Sequence, residues 1–196
     1  QKVLIYQKER CRAIKRNIWK GKNEYMALID NEKLYENKEN LKTGTYTIQF
    51  GNAFYDILSQ ENGSDKLQEE YQTAIEAFTY DNPDVFYISA NKLYLNIETT
   101  TKGRNKTYDV FINNGSRENY FTDDFSSESQ VKTAIEQVEQ IKNQIIAQKN
   151  NNVYYDIKMI HDYLINNIEY ETTIAKSNIY DIYGALVKNE CVCEGY

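Results

Sequence analysis

Hydrophobic residues change from alternating to helical spacing near Ser127, and this change limits the folds that the chain can adopt. Before it, runs such as residues 45–50 and 106–112 alternate polar and apolar residues, which is typical of strands with one buried face. After it, apolar residues recur at helical spacing over residues 131–145 and again over residues 153–168. The sequence therefore predicts an α+β fold whose sheet lies in the N-terminal part.

Both helices and strands are predicted before Ser127. Helical spacing covers residues 3–19, 24–41, 53–58 and 65–80, and strand-like runs cover residues 45–50, 85–89, 92–100 and 106–112. Ser64 is the expected N-cap of the helix over residues 65–80. Turn residues separate the last three strands, which predicts an antiparallel meander.

The C-terminal part is predicted to be helical up to a cysteine-containing loop. Ser127 and Gln130 have the spacing of a capping box and predict the start of a long helix. A second amphipathic helix follows a polar break, and we expect the two helices to pack together. The polar stretch over residues 119–127 marks the boundary between a predicted N-terminal α+β domain, residues 1–125, and a second domain, residues 126–196.

Composition argues against one broad class of function. The chain has 196 residues, of which 41% are hydrophobic, and this is enough to bury a sizeable core. Its net charge of −6 argues against a nucleic-acid surface, because phosphate recognition needs clustered Lys and Arg. The basic cluster at residues 8–22 is interpreted as a solvated helix face, with a polyanion or membrane site as the alternative.

The sequence does not decide the compartment. No apolar run approaches the roughly 18 residues of a membrane span, and no leader pattern is present. Because the chain begins with Gln1, we expect that a natural start, with any upstream signal or anchor, has been removed. Three cysteines form no disulfide framework, which fits a reducing compartment or an exported bacterial protein that lacks disulfides.

The strongest candidate for a catalytic segment is residues 178–196, NIYDIYGALVKNECVCEGY, which contain Cys191 and Cys193. A small-residue turn at Gly184 and Ala185 and a polar break lead into the cysteine pair, so the segment is interpreted as a loop that delivers a cysteine. A helix that begins near Cys193 would direct unpaired N–H groups at the sulfur and favour the thiolate. The alternative is that Cys193 is simply a buried cysteine.

The run YGALVKNECVCEGY resembles the nucleophile segment of the bacterial transglutaminase-like superfamily, with its V-C-x-G-Y pattern. The run DIKMIHDYLINNIEYETT is similar to the helix and N-I-x-Y segment that precede the cysteine in that family. The resemblance implies that residues 126–196 are the front part of a papain-like cysteine fold and that Cys193 is the nucleophile. It also implies histidine and aspartate partners several tens of residues after Cys193, beyond the last residue, so that this chain alone is expected to be inactive.

Other candidate residues receive structural interpretations. Cys191 is expected to pack in the interior, with a redox role beside Cys193 as the alternative. Cys11 is expected to be a small buried hydrophobe. His161, the only histidine, lies at the edge of an apolar helix face and is interpreted as a packing residue rather than a partner of Cys193. A lone C-x-C with one histidine predicts no metal site, and no cofactor motif occurs.

Two functions follow as hypotheses. The first is cysteine-dependent acyl transfer or amide hydrolysis on protein or peptide substrates through a Cys193 thioester. The second is a non-catalytic binding module of a bacterial cell surface or cell envelope, in which the tyrosine-rich N-terminal half is the working part. The resemblance implies export from a Gram-positive bacterium and possible cell-envelope partners.

Overall fold

The computed structural model describes residues 29, 33–173, 176–193 and 195. The predicted helix over residues 3–19, Cys11 and the basic cluster lie outside this part of the chain, as do residues 24–28 and 30–32 of the predicted helix over residues 24–41. Where the description begins, Ile29 and Leu34 are fully buried, and a short helix α1 covers Lys38–Leu41.

Three antiparallel strands form the sheet, and their alternating side chains explain why they form it. Strands β1 (Ile48–Gly51), β2 (Tyr94–Lys102) and β3 (Asn105–Asn113) are arranged in the order β1-β3-β2. Ile48 and Leu95 both pair with Ile112, so that apolar side chains from all three strands line one face. The expected α+β class is confirmed, together with the strands predicted over residues 45–50, 92–100 and 106–112.

The predicted strand over residues 85–89, and with it the meander, is wrong. Pro83–Val85 and Ala90–Lys92 are 3-10 turns, and only Ile88 forms an isolated bridge, to Phe121. Val85, Phe86, Tyr87 and Ile88 are all buried, so the run has no solvent face to alternate with. Proline fixes the backbone at the start of this run and favours the first turn. Strand β1 pairs instead with β3.

Two further helices precede the hairpin that β2 and β3 form. A short helix α2 covers Tyr55–Leu58, as predicted, and α3 covers Gly63–Asp81 with Leu67, Tyr71, Ala74, Ile75 and Phe78 buried along one face. The predicted N-cap at Ser64 is wrong, because the helix begins earlier and Asn62 is its N-cap residue. Gly63 permits this start: a Cβ there would lie 2.0 Å from the Ile57 carbonyl oxygen.

The two predicted C-terminal helices are present. Helix α4 covers Glu128–Ile146 and α5 covers Val153–Asn167. The capping prediction at Ser127 is confirmed, since its side chain accepts a hydrogen bond from the Gln130 backbone N–H at 3.4 Å. The Gln130 side chain in turn accepts from the Ser126 backbone N–H at 2.8 Å. In a standard capping box, the side chain at the N3 position accepts from the N–H of the N-cap residue. Here the Gln130 side chain accepts from Ser126, one residue before the N-cap Ser127.

The predicted packing of α4 against α5 is wrong. Helix α4 buries Val131, Ala134 and Val138 in a main core that also contains the inner side chains of the sheet, α3 and residues 85–88. Helix α5 has no buried residue. The main core therefore covers the N-terminal part of the apolar stripe of α4, while Ile145, near the end of the helix, is buried outside this core. The main core extends past residue 125 and includes Tyr183, while the domain division at residue 125 stays a prediction.

Buried tyrosines join the elements of the main core. The Tyr120 hydroxyl donates to the Leu41 carbonyl oxygen at 2.9 Å, and the Tyr87 hydroxyl donates to the Lys38 carbonyl oxygen at 3.3 Å. Burial raises the pKa of Tyr120 to about 12, so the hydroxyl remains a donor throughout the physiological pH range. These bonds tie helix α1 to the segments that flank the sheet.

Candidate functional site

The cysteine segment is positioned by a parallel pair of short strands. Strand β4 (Glu169–Tyr170) follows α5, and β5 (Glu190–Cys191) pairs with it so that Tyr170 lies opposite Cys191. The Glu171 backbone N–H donates to the Cys191 carbonyl oxygen at 3.0 Å, and the Glu169 N–H donates to the Asn189 carbonyl oxygen at 2.8 Å. The stretch after α5 therefore holds the cysteine strand directly.

A tight helical turn lies directly before β5 in the chain. This turn, Gly184–Lys188, is π-helical and ends at Asn189, whose φ of 57° reverses the backbone. Glycine is required at position 184, because a Cβ there would lie 1.9 Å from the Asn178 carbonyl oxygen. The expected small-residue turn at Gly184 and Ala185 is therefore part of a close backbone approach.

The two cysteines have opposite environments. Cys191 is fully buried in a small cysteine cluster with Ile168 and Ala185, and Leu164 packs against this cluster. Cys193 is exposed. A Cβ on Gly195 would lie 2.4 Å from the Cβ of Cys191, so the glycine lets the chain fold back over the buried cysteine. Burial, followed by the nearby Cys193, raises the pKa of Cys191, which keeps it protonated. These features support the packing interpretation of Cys191.

Cys193 lies in a turn closed at both ends by backbone hydrogen bonds. The Val192 N–H donates to the Ile179 carbonyl oxygen, and the Gly195 N–H donates to the Val192 carbonyl oxygen, each at 2.9 Å. The alternative of a buried Cys193 is wrong. The described residues show this turn at Cys193, and the helix expected to begin there stays a prediction.

Asp181, which the sequence analysis did not select, precedes this segment. One of its carboxylate oxygens accepts from the Gly184 N–H at 2.9 Å, as an N-cap of the helical turn does. Burial raises its pKa from 3.8 to about 7, against the opposing effect of the Gly184 and Tyr183 N–H groups, and Asp124 raises it further. The sequence pattern that could have predicted this cap is an aspartate three residues before Gly184.

His161 is not the packing residue that the sequence predicted. Its side chain is 65% exposed, and its Nδ1 lies 3.4 Å from an Asp162 carboxylate oxygen. The reason is that the apolar face of α5 is itself not covered by the described residues. No hydrogen bond among the described residues connects His161 with Cys193.

Ion pairs flank the paired strands. Lys176 forms a short ion pair with Glu190 on β5 and lies 3.6 Å from Glu171, just after β4. Hydrogen bonds from Thr173 lower the pKa of Glu171 to about 2, so it is ionised at all physiological pH values. These charged groups hold together the two ends of the strand pair.

The described residues offer few other candidate sites. Among them, no group of three or more His, Cys, Asp and Glu side chains is suited to a metal ion. An open groove of about 310 Å³ lies between α4 and Tyr183, with Asp124, Phe125 and Thr133 among its lining residues, but Cys193 does not line it. In the part of the chain that the structure describes, no helix has the length and apolar character needed to cross a membrane.

Comparison with known proteins found no match: no protein-family model, no curated protein and no solved structure is similar to this chain.

Proposed function

We propose that the protein performs cysteine-dependent acyl transfer or amide hydrolysis on protein or peptide substrates, with Cys193 as the nucleophile. The observation that carries the proposal is the contrast between Cys193 and Cys191. One thiol is exposed in a turn fixed by backbone hydrogen bonds, while the other, two residues earlier, is buried. A nucleophile must be both accessible and held in place, and of these two described thiols Cys193 meets both requirements.

A second observation supports the same proposal. The two segments whose sequences resemble the transglutaminase-like superfamily, around residues 156–173 and 183–196, are separated by nine residues in the chain. Strands β4 and β5 join them by hydrogen bonds, with Tyr170 opposite Cys191. The residues that carry the resemblance are therefore neighbours in space, as parts of one site must be.

The proposed chemistry has two steps. In the first, the Cys193 thiolate bonds to the carbonyl carbon of a carboxamide or peptide, the C–N bond breaks, and the amine leaves with the proton that a general base removed from the thiol. In the second, water or another amine attacks the thioester, and the sulfur leaves as the thiol. The resemblance implies that the base is a later histidine. Consequently, this chain with its exposed His161 is expected to show no turnover.

The experiment uses an acyl donor that does not depend on a base. The chain is incubated with a peptide aryl thioester, and the adduct is located by mass spectrometry. We expect acylation at Cys193, none at Cys191, and loss of the adduct in Cys193→Ala. A Gln140→Cys variant, which places an engineered thiol on the exposed side of α4, provides the rate of an ordinary surface cysteine. Equal rates at Cys193 and at this control would contradict the proposal.

Exposed tyrosines favour a second candidate, the non-catalytic cell-envelope binding module. In the N-terminal half, Tyr80 is 73% and Tyr35 is 57% exposed, and exposed aromatic side chains are common in binding surfaces. Co-sedimentation with Gram-positive cell-wall sacculi separates the two functions. Binding that survives Cys193→Ala and disappears in a Tyr35→Ser, Tyr80→Ser variant would favour the binding module.

A further inference from the structure

Strand β2 is a free edge of the sheet in the described part of the chain. The sheet order β1-β3-β2 places it at the outside, and none of the described residues pairs with its outer side. It is nine residues long. An exposed edge of this length offers a row of backbone donors and acceptors to another strand.

The hairpin geometry determines which backbone groups point outward. A two-residue turn, Gly103 and Arg104, joins β2 to β3, and Lys102 pairs with Asn105 across it. The closing pair of such a turn is hydrogen-bonded, and the pairs alternate from there. The N–H and C=O groups of Thr99 and Thr101 therefore face the outer edge.

The side chains of β2 alternate in the same way. Leu95 and Ile97 pack against the main core, so Glu98, Thr100 and Lys102 lie on the opposite, solvent-facing side. Glu98 is directly opposite Asp109 on β3, and two like charges at this position repel each other. No described residue forms an ion pair with Glu98, Asp109 or Lys102.

We propose that β2 pairs antiparallel with β2 of a second copy of this chain. The two-fold axis passes between Thr100 and Thr100 of the partner subunit. In this register Glu98 lies opposite Lys102 of the partner subunit, and Lys102 lies opposite Glu98 of the partner subunit. Thr99 forms a hydrogen-bonded pair with Thr101 of the partner subunit. The two three-stranded sheets then form one continuous sheet of six strands with a self-complementary interface.

The charges select both the partner and the register. Two ion pairs form by symmetry, and each brings an ammonium group to the acidic pair Glu98 and Asp109. If the two strands overlapped along their whole length, the axis would instead pass beside Glu98. Glu98 would then lie opposite Glu98 of the partner subunit. That register is disfavoured because it adds a like-charge contact to the existing one.

Charge reversal with restoration tests the interface. Sedimentation equilibrium of the full chain from about 10 to 500 µM should detect a weak dimer, as expected for a small interface. We expect Glu98→Lys to weaken it at least about tenfold, because two attractive pairs become repulsive. The double variant Glu98→Lys, Lys102→Glu should return the dissociation constant to within about threefold of the wild type. Lys106→Glu, on the other strand and the other face, is the control and should leave it unchanged.

Two further variants test the backbone pairing. Thr99→Pro removes an outward N–H and no ladder bond to β3, so it should abolish the dimer while Thr99→Ala preserves it. In a chain whose three cysteines are replaced by Ala, Thr100→Cys should form an intermolecular disulfide and Thr107→Cys, one strand further from the axis, should not. A monomer at every concentration would overturn the proposal. A dimer that is indifferent to Glu98→Lys and to Thr99→Pro would overturn it too.

Discussion

Helices α4 and α5 follow each other in the chain and have similar apolar spacing, yet their surroundings differ. Helix α4 buries Val131, Ala134 and Val138 in the main core, whereas α5 buries no residue. Near the C-terminal end of α5, Leu164 packs against the cysteine cluster. The difference teaches that apolar periodicity predicts a helix and the face that it can bury, but not the partner that covers this face.

The same difference separates two regions of the molecule. The main core joins the sheet, α3 and α4 through large buried side chains. Helix α5, β4, β5 and the turn at Cys193 depend on a small cluster, two short strands and close backbone contacts. The helical turn between β4 and β5 contacts both regions, because Tyr183 belongs to the main core. We therefore expect substitutions in the first region to lower the free energy of global unfolding and those in the second to act locally.

The largest effect is expected at two glycines that approach carbonyl oxygens. In Gly63→Ala and in Gly184→Ala the new Cβ would lie 2.0 and 1.9 Å from an oxygen atom, so the backbone must shift. We expect a loss of about 3 kcal/mol in each case. For Gly63→Ala, urea unfolding should show the loss globally. For Gly184→Ala, whose new Cβ would meet the carbonyl groups of Asn178 and Glu190, hydrogen exchange should show the largest change in residues 176–193. Equal global destabilisation by both variants would contradict the division into two regions.

A matched pair of valines compares the helices directly. Val131→Ala in α4 removes two methyl groups from a fully buried side chain and is expected to lower the free energy of unfolding by about 2 kcal/mol. Val153→Ala in α5 changes a side chain that is 47% exposed and is expected to alter it by less than about 0.5 kcal/mol. Thermal unfolding followed by circular dichroism measures both. A similar loss in Val153→Ala would mean that α5 is covered.

Asp181 gives the second region a pH dependence. Because folding raises the pKa of Asp181 from 3.8 to about 7, the folded chain binds this proton more tightly than the unfolded chain. The resulting stability is complete below pH 3.8 and is lost as the pH rises through about 7. Asp181→Asn stays neutral and should make the segment more stable than the wild type at pH 8, by about 1 kcal/mol. Hydrogen exchange of residues 181–193 at pH 5 and pH 8 measures this, and an unchanged pH dependence in the variant would exclude Asp181 as its source.

The helix caps are expected to have the smallest effect. Ser127 caps α4, and Asn152 caps α5 by accepting from the Tyr154 and Tyr155 N–H groups. Replacement of either residue by Ala should cost about 1 kcal/mol of helix stability. In Ser127→Ala the loss should lower the global unfolding midpoint. In Asn152→Ala it should appear only as faster exchange in the first turns of α5, and a lower global midpoint would show that α5 unfolds together with the main core.

Local patterns in the sequence predicted what local interactions determine. The alternation of residues 92–100 and 106–112 predicted β2 and β3, and the spacing of Ser127 and Gln130 predicted the start of α4. Residues 85–88 were mistaken for a strand because a short apolar run that is buried on all sides has no period to distinguish strand from turn.

Tertiary packing accounts for the rest. Whether α5 covers α4, and whether His161 is buried, depends on which surfaces meet, and helical spacing does not contain this information. In the candidate site, the motif singled out Cys193, which is indeed accessible. It did not reveal Asp181, because its raised pKa results from burial by distant residues. The role of Cys193 stays a prediction.

The most direct test of the account is the pH dependence of alkylation at each cysteine. Iodoacetamide is applied to the native chain across a pH series, and labelling of Cys11, Cys191 and Cys193 is measured by mass spectrometry. If Cys193 is the nucleophile, we expect it to react at lower pH than Cys11. The account also predicts that Cys191 reacts only after unfolding, since it is buried. Superimposable profiles for Cys193 and Cys11, or native labelling of Cys191 ahead of Cys193, would contradict it.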